Sequence, residues 1–272
     1  MILSIFVSHP LNALMPWNPE VYNQFKNIRY KPFFDLMDMI TSNGMKKAVD
    51  IGCGTGEQTK ILSEKFENAD FLGIDPSPQM LEKSKGFESN NFTIKQATVE
   101  EFIASNSNQQ WDLIFSNAAL QWSDNHPILF PQLISLLSHS GQFAVQMPMQ
   151  NDNLLNKLLL ELAQEKPYSD YLHGFKRETP MLSIDHYAQI LFENGLQNLQ
   201  VIQKVYPIIA DNEQTLFDFI SGSALIPYLE RLEASQQKIF ITEFKSRIRK
   251  EFKAFPAIYA FKRLLLYGNK GG

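Results

Sequence analysis

From residue 46 onward the chain alternates between two hydrophobic periods. Short apolar runs at 46–51, 70–74, 92–96, 111–115 and 141–147 have the length and composition of buried strands. Between them lie stretches with apolar residues at helical spacing: 57–66, a segment opening at Ser77, a short one carrying Val99, Phe102 and Ile103, and 126–138. Strand and helix in strict alternation predict an α/β fold with a doubly wound, mostly parallel, Rossmann-like sheet. Upstream, Pro19 after Asn18 suits the first turn of a helix. A second helix is expected over 32–40, with Phe33, Phe34, Leu36, Met37 and Ile40 on its apolar face and Asn43-Gly44 ending it. Residues 1–15 carry no pattern and read as an arm or an alternative start.

Past residue 150 the pattern changes. Helices are expected at 153–165 and 183–194, the second ending at Gly195, with a loop rich in Tyr, His and basic residues at 166–180. A strand at 197–206, two or three helices within 212–253 and a last strand at 259–267 follow. The chain therefore divides into an α/β core with N-terminal helices over 16–150, and a helical cap plus final sheet strands over 151–272.

The first strand runs into Asp50-x-Gly52-x-Gly54-x-Gly56 and then a helix. Glycines let the backbone turn sharply and approach a ligand with no Cβ in the way, and the following helix offers unpaired N–H groups. Nineteen residues beyond Gly56 the second strand ends in Asp75, placed to accept hydrogen bonds from a ribose diol. The spacing is not the G-x-G-x-x-G of nicotinamide-binding proteins. An acid stands two residues before the first glycine. Asp50, Asp75, Thr98 and Asn117 all fall at strand carboxyl ends, the edge where open α/β sheets hold ligands.

Composition narrows the partners. The 272 residues are 44% hydrophobic and 20% charged, with net charge −4 and a pI near 5.8. No basic stripe is present, which argues against nucleic acid. No apolar run approaches the roughly 20 residues of a membrane span. The opening Met-Ile-Leu-Ser-Ile-Phe-Val lacks the basic start of a signal peptide. The single cysteine, Cys53, points to a reducing compartment, the cytoplasm, and reads as a small residue fitting the glycine turn.

The motif at Asp50–Gly56 resembles the first motif of class I S-adenosylmethionine (SAM) methyltransferases. Further stretches narrow the likeness: Trp17-Asn-Pro-x-x-Tyr22-x-x-Phe25, Gly73-Ile-Asp75-Pro-Ser-Pro-Gln-Met80, Asp112-Leu-Ile-Phe-Ser-Asn117-Ala-Ala-Leu-Gln-Trp122 and Gln146-Met-Pro148. Their order and spacing resemble the trans-aconitate 2-methyltransferase family from about residue 15 to 150. The likeness continues more weakly through 221–229 and 261–264. The resemblance implies SAM as cofactor, a seven-stranded sheet, and a cofactor site formed by Asp50, Gly52, Gly54, Gly56, Asp75, Ser77, Met80, Ala97, Thr98, Val99 and Asn117. Where the family carries Glu-Ala-Asp after the third strand, this chain has Gln96-Ala97-Thr98, so an uncharged hydroxyl stands where an acid meets the adenine, with Glu100 or Glu101 as compensating candidates.

The implied reaction moves a methyl group to a carboxylate of a small polycarboxylic acid, most readily trans-aconitate. A carboxylate is ionised at neutral pH, so no catalytic base and no metal are expected. The protein must orient the acid, exclude water and offset its charge. Tyr22, Arg29, Gln121, Trp122, His126 and His173 are the candidates for holding it, with Tyr30, Lys176 and Arg177 beside them. The chain is expected to act as a monomer. Leu-Gln-Trp runs also occur in methyltransferases acting on the malonyl carrier protein, which keeps that acceptor open, and a SAM-binding protein without catalysis is the alternative of a different class.

Overall fold

The computed structural model describes residues 26–271 apart from 43, 85 and 178, and for 26–29 the backbone alone. The arm at 1–15, the helix expected at Pro19, Trp17 and Tyr22 lie outside the described residues. The elements run α1 (Lys26–Met37), β1 (Lys47–Ile51), α2 (Glu57–Lys65), β2 (Asp70–Asp75), α3 (Pro78–Ser84), β3 (Phe92–Gln96), α4 (Val99–Ser105), β4 (Trp111–Asn117), a 3₁₀ turn (Leu120–Trp122), α5 (His126–Ser135) and β5 (Leu137–Pro148). They continue through α6 (Leu154–Gln164), α7 (Tyr168–Tyr171), α8 (Ile184–Glu193), β6 (Leu196–Ala210), α9 (Glu213–Ser221), α10 (Ile226–Leu229), α11 (Ala234–Glu251) and β7 (Ala257–Lys270).

The strands form one seven-stranded sheet in the order β3-β2-β1-β4-β5-β7-β6. The pairings β2–β3, β1–β2, β1–β4 and β4–β5 are parallel, and β5–β7 is antiparallel. Central strands of such a sheet are buried on both faces, which is why they read as continuous apolar runs. Successive side chains still alternate between the faces. On one face Val49, Ile114, Phe143, Val145 and Leu264 pack with Leu129, Phe130 and Leu133 of α5 and Tyr187 and Leu191 of α8. On the other, Ala48, Leu113, Phe115, Ala144, Leu265 and Tyr267 pack with Phe33, Leu36 and Met37 of α1.

The structure departs from the sequence reading in several places: β5 starts at Leu137, inside the stretch expected to stay helical to 138. Helix α1 ends at Met37, short of Ile40, and Phe34 faces outward, 40% exposed. Within the expected loop at 166–180, Tyr168–Tyr171 forms a short helix, whose Tyr168 ring meets Phe240 edge-on at 5.6 Å.

The chain separates into two compact units. One comprises Asn27–Asn153, Glu178–Ile208 and Ala260–Gly272 and contains the sheet's parallel part. The other includes Leu154–Arg177 and Ile209–Tyr259. Its core holds Leu155, Leu159, Phe217, Phe240, Phe244 and Ile248, and Arg247 fixes its surface by pairing with Glu165 at 2.6 Å and Glu243 at 3.0 Å. Among the described residues no helix is long and apolar enough to cross a membrane, and no His/Cys/Asp/Glu group is placed to hold a metal ion.

Candidate functional site

The glycine turn leaves β1 with Gly52, Gly54 and Gly56 all at positive φ, a region costly for residues with a Cβ. Two backbone bonds pin the turn to β2: Gly52 N–H and Cys53 N–H both donate to the Ile74 carbonyl, at 2.8 and 2.9 Å. A Cβ on Gly52 would lie 2.1 Å from the Cβ of Ala119, so the turn and the loop after β4 approach in a way glycine alone permits. A Cβ on Gly54 would meet nothing within 4 Å, so this backbone borders open space.

Asp75 ends β2 and closes the turn. Its two oxygens accept one N–H each, from Gly54 and Ser77, both at 2.9 Å. Each oxygen retains a further lone pair, which leaves the carboxylate oriented and still able to accept from a diol. Asp50 is buried, 3% exposed, and accepts from the Thr59 hydroxyl at 2.6 Å. Burial pushes its pKa up to about 7, the Thr59 bond opposing the rise and the charge of Asp75 adding to it. A buried carboxylate whose charged form is disfavoured by desolvation fits a cationic ligand group, which would favour the charged form. Cys53 is buried and its thiol is pushed far up, first by burial and then by Asp50 and Asp75. It serves as a small apolar residue, its sulfur 2.9 Å from where a Cβ on Gly73 would lie.

The remaining expected cofactor positions share this edge. The Ser77 hydroxyl accepts from Met80 N–H at 3.3 Å, and Met80 is 41% exposed. Ala97 N–H donates to the Asp75 carbonyl at 3.3 Å, and Ala97 and Val99 are buried. Thr98 caps α4 in a reciprocal capping box: its hydroxyl accepts from Glu101 N–H at 3.2 Å, and Glu101 accepts from Thr98 N–H at 2.9 Å. Glu101 is thus engaged in the helix start. Asn117 donates through Nδ2 to Gln58 Oε1 at 2.9 Å, while its buried Oδ1 has no hydrogen-bond partner among the described residues. Oriented carboxylate, tight turn, open Gly54 and orphaned acceptor fit a ligand carrying a diol and an ammonium group.

The candidates for the acid are dispersed. Gln121 is buried after β4, its Nε2 bonded to the Ala118 carbonyl at 2.7 Å and its buried Oε1 lacking a partner among the described residues. Trp122 is 48% exposed. His126 lies in the core, 0% exposed, with Nδ1 2.5 Å from the Tyr187 hydroxyl and Nε2 2.9 Å from the Leu120 carbonyl. Both nitrogens are engaged, and burial lowers the ring's pKa. The geometry makes His126 the anchor of the turn carrying Gln121 and Trp122. His173 is exposed in the other unit, and Arg29 lies in α1 among residues described by backbone alone. At the same edge the structure adds two residues absent from the expected set: Gln146, fully buried on β5, and Arg263, 7% exposed on β7, whose Nη1 donates to Gln146 Oε1 at 3.1 Å. Gln146 stood in one of the recognised stretches, but its burial beside an arginine 117 positions away has no signature in one sequence.

Residues 42–213 match a family described as a methyltransferase domain. The trans-aconitate 2-methyltransferase of Deinococcus radiodurans is 35% identical over 262 residues, covering 94% of this chain and 99% of that protein. The enzyme of the same name from Escherichia coli is 30% identical over 260 residues, covering 93% and 98%. Among solved structures, the YcgJ protein of Bacillus subtilis superposes with a TM-score of 0.56 at 18% identity over 89% of this chain and 99% of that one. Phosphoethanolamine N-methyltransferase 2 of Haemonchus contortus, in complex with SAM, does so with a TM-score of 0.51 at 14% identity over 84% and 49%. These two likenesses establish the fold.

Proposed function

The chain belongs to the trans-aconitate 2-methyltransferase family, and we propose that it esterifies one carboxylate of a small polycarboxylic acid, trans-aconitate first among them. It is a SAM-dependent methyltransferase. The observation that supports the cofactor site most directly is the Asp75 carboxylate, held by Gly54 and Ser77 with lone pairs to spare.

SAM, when bound, supplies a methyl group on a positively charged sulfur, which a carboxylate oxygen displaces. The residues that would hold it are Asp75 for the ribose diol, Gly54 for close backbone approach, and Asp50 and Asn117 for the ammonium end. On the acceptor side no proton has to be removed, because the attacking carboxylate is already ionised at neutral pH. The chain's task is to place that oxygen, exclude water and balance the acid's other charges. The buried amide of Gln146 and the Arg263 guanidinium supply donors without a catalytic base. We also assign the chain a cytoplasmic, monomeric life, on the single reduced cysteine and the small soluble acceptor.

The test is methyl transfer from radiolabelled SAM to trans-aconitate, cis-aconitate, isocitrate, citrate and malonyl-carrier protein. Turnover of trans-aconitate well above the others is expected. Turnover of the malonyl thioester alone would keep the chemistry and replace the acceptor. SAM binding without transfer to any acid would overturn the reading.

A further inference from the structure

The face of the sheet under α1 changes character over its last rungs. Phe115 of β4 aligns with Ala144 of β5, and Ala144 with Tyr267 of β7. This row is apolar and covered by α1, with Phe33 meeting Phe115 at 5.9 Å. One side-chain step toward the carboxyl edge, Asn117 aligns with Gln146, and Arg263, paired with Pro148, stands diagonally beyond. Side chains two apart on a strand share a face. Asn117, Gln146 and Arg263 therefore share this face at the ligand edge, beyond the hydrophobic row, with Leu265 opposite Gln146 and Arg263 one side-chain step farther along β7.

Gln146 and Arg263 are buried, which gives their hydrogen bond weight. Gln146 is 0% exposed and Arg263 is 7% exposed. Arg263 has donors only, so Gln146 must turn its oxygen toward it, and the bond at 3.1 Å fixes the amide orientation. Gln146 Nε2 must then point elsewhere, and it has no hydrogen-bond partner among the described residues. A buried amide N–H left unmatched is costly. Arg263 also stacks over Phe261 at 4.7 Å, which holds the guanidinium plane.

An unmatched N–H fixed beside a buried guanidinium calls for a group that only accepts hydrogen bonds and carries negative charge. We propose that Gln146 and Arg263 form the subsite for a carboxylate of the acceptor acid, one that is bound rather than methylated, and so select polycarboxylates over monocarboxylates. This rests on the proposed esterification of a small acid and adds the residues that choose it.

The test is calorimetric titration of the full chain, loaded with S-adenosylhomocysteine, with tricarballylate, a saturated tricarboxylate. Gln146→Glu keeps the shape and the bond to Arg263 but turns the free donor into a charged acceptor. Its expected effect is a roughly 10- to 100-fold loss of tricarballylate affinity, the scale of a hydrogen bond to a charged group, with S-adenosylhomocysteine affinity and melting temperature preserved. Arg263→Lys keeps the charge and loses the fork, and should weaken tricarballylate about tenfold; it decides the matter if Gln146→Glu does not fold. A structural role for Gln146 would leave tricarballylate affinity unchanged in Gln146→Glu, because the Arg–Glu pair holds the strands as well. Unchanged affinity in the folded variants, or no binding by the wild-type chain, would overturn the subsite. Tricarballylate binding that responds to both substitutions, without methyl transfer to any polycarboxylate, would sustain the subsite and sink the proposed reaction.

Discussion

The carboxylate of Asp75 accepts a hydrogen bond from the backbone N–H of Gly54, 2.9 Å away and 21 residues earlier in the chain. Through it the end of β2 sets the shape of the turn after β1. Asp75→Ala removes the acceptor for Gly54 and Ser77 together. The expected result is loss of measurable SAM binding by calorimetry and about 3–6 kcal/mol of stability in urea titration, the scale of two bonds to a charged acceptor. Retained SAM affinity would remove Asp75 from the site.

Gly52 and Gly54 share a left-handed backbone but differ in surroundings. Gly52→Ala drives a Cβ to within 2.1 Å of Ala119 and must push apart the loops after β1 and β4, at roughly 2–4 kcal/mol. Gly54→Ala meets no atom and should cost only the left-handed penalty, about 1–2 kcal/mol. Its larger effect should appear as weakened SAM affinity, because the new methyl group enters the ligand's approach. Thermal melts and calorimetry on the two variants separate a packing glycine from a ligand-facing one.

Asp50 predicts a pH dependence. Its folded pKa, about 7, lies above the unfolded value of 3.8, so the native state holds a proton that the unfolded chain has lost. This contribution is fully present below about pH 4 and is lost as pH rises to about 7, amounting to the order of 3–4 kcal/mol. Asp50→Asn should flatten that portion of the stability profile and make the ligand-free chain more stable at pH 8, while weakening SAM. Urea unfolding between pH 4 and pH 8 reads it, and an unaltered profile would assign the proton to another group.

Tyr187→Phe removes the hydroxyl that His126 Nδ1 and Leu182 N–H share. A loss of roughly 1–2 kcal/mol is expected. His126 supports the turn through the Leu120 carbonyl, and on that role KM for the acid should move less than about threefold. A tenfold rise in KM with unchanged stability would return His126 to the substrate site.

The parallel core was legible because buried strands between amphipathic helices leave a strong local pattern. Lys47–Ile51, Asp70–Asp75 and Phe92–Gln96 fall within a residue of the expected runs. The outer strands were less so. β6 and β7 extend to fifteen and fourteen residues, beyond 197–206 and 259–267: β6 runs on through Pro207, which reads as a break in a strand, and β7 adds exposed Ile258 at one end and polar Asn269 and Lys270 at the other. Asp75 and the glycines stood out because a turn and a strand end fix their environment within a few residues. Gln146 and Arg263 did not, since their chemistry arises from antiparallel pairing across 117 positions, and an arginine on a strand looks the same buried or solvated. The surroundings of His126 were hidden for the same reason: the Tyr187 that engages it lies 61 residues away.

Strand order carries a consequence for how the protein comes to exist. β7 is synthesised after β6 yet is inserted between β6 and β5. Until β7 emerges, β6 lacks the strand that joins it to the rest of the finished sheet. Seating β7 then does two things at once, closing the sheet and delivering Arg263 to Gln146. Nascent chains arrested before that moment carry the whole glycine turn and Asp75 but not the guanidinium. On the proposed assignments, the residues for the cofactor are translated before the guanidinium for the acid.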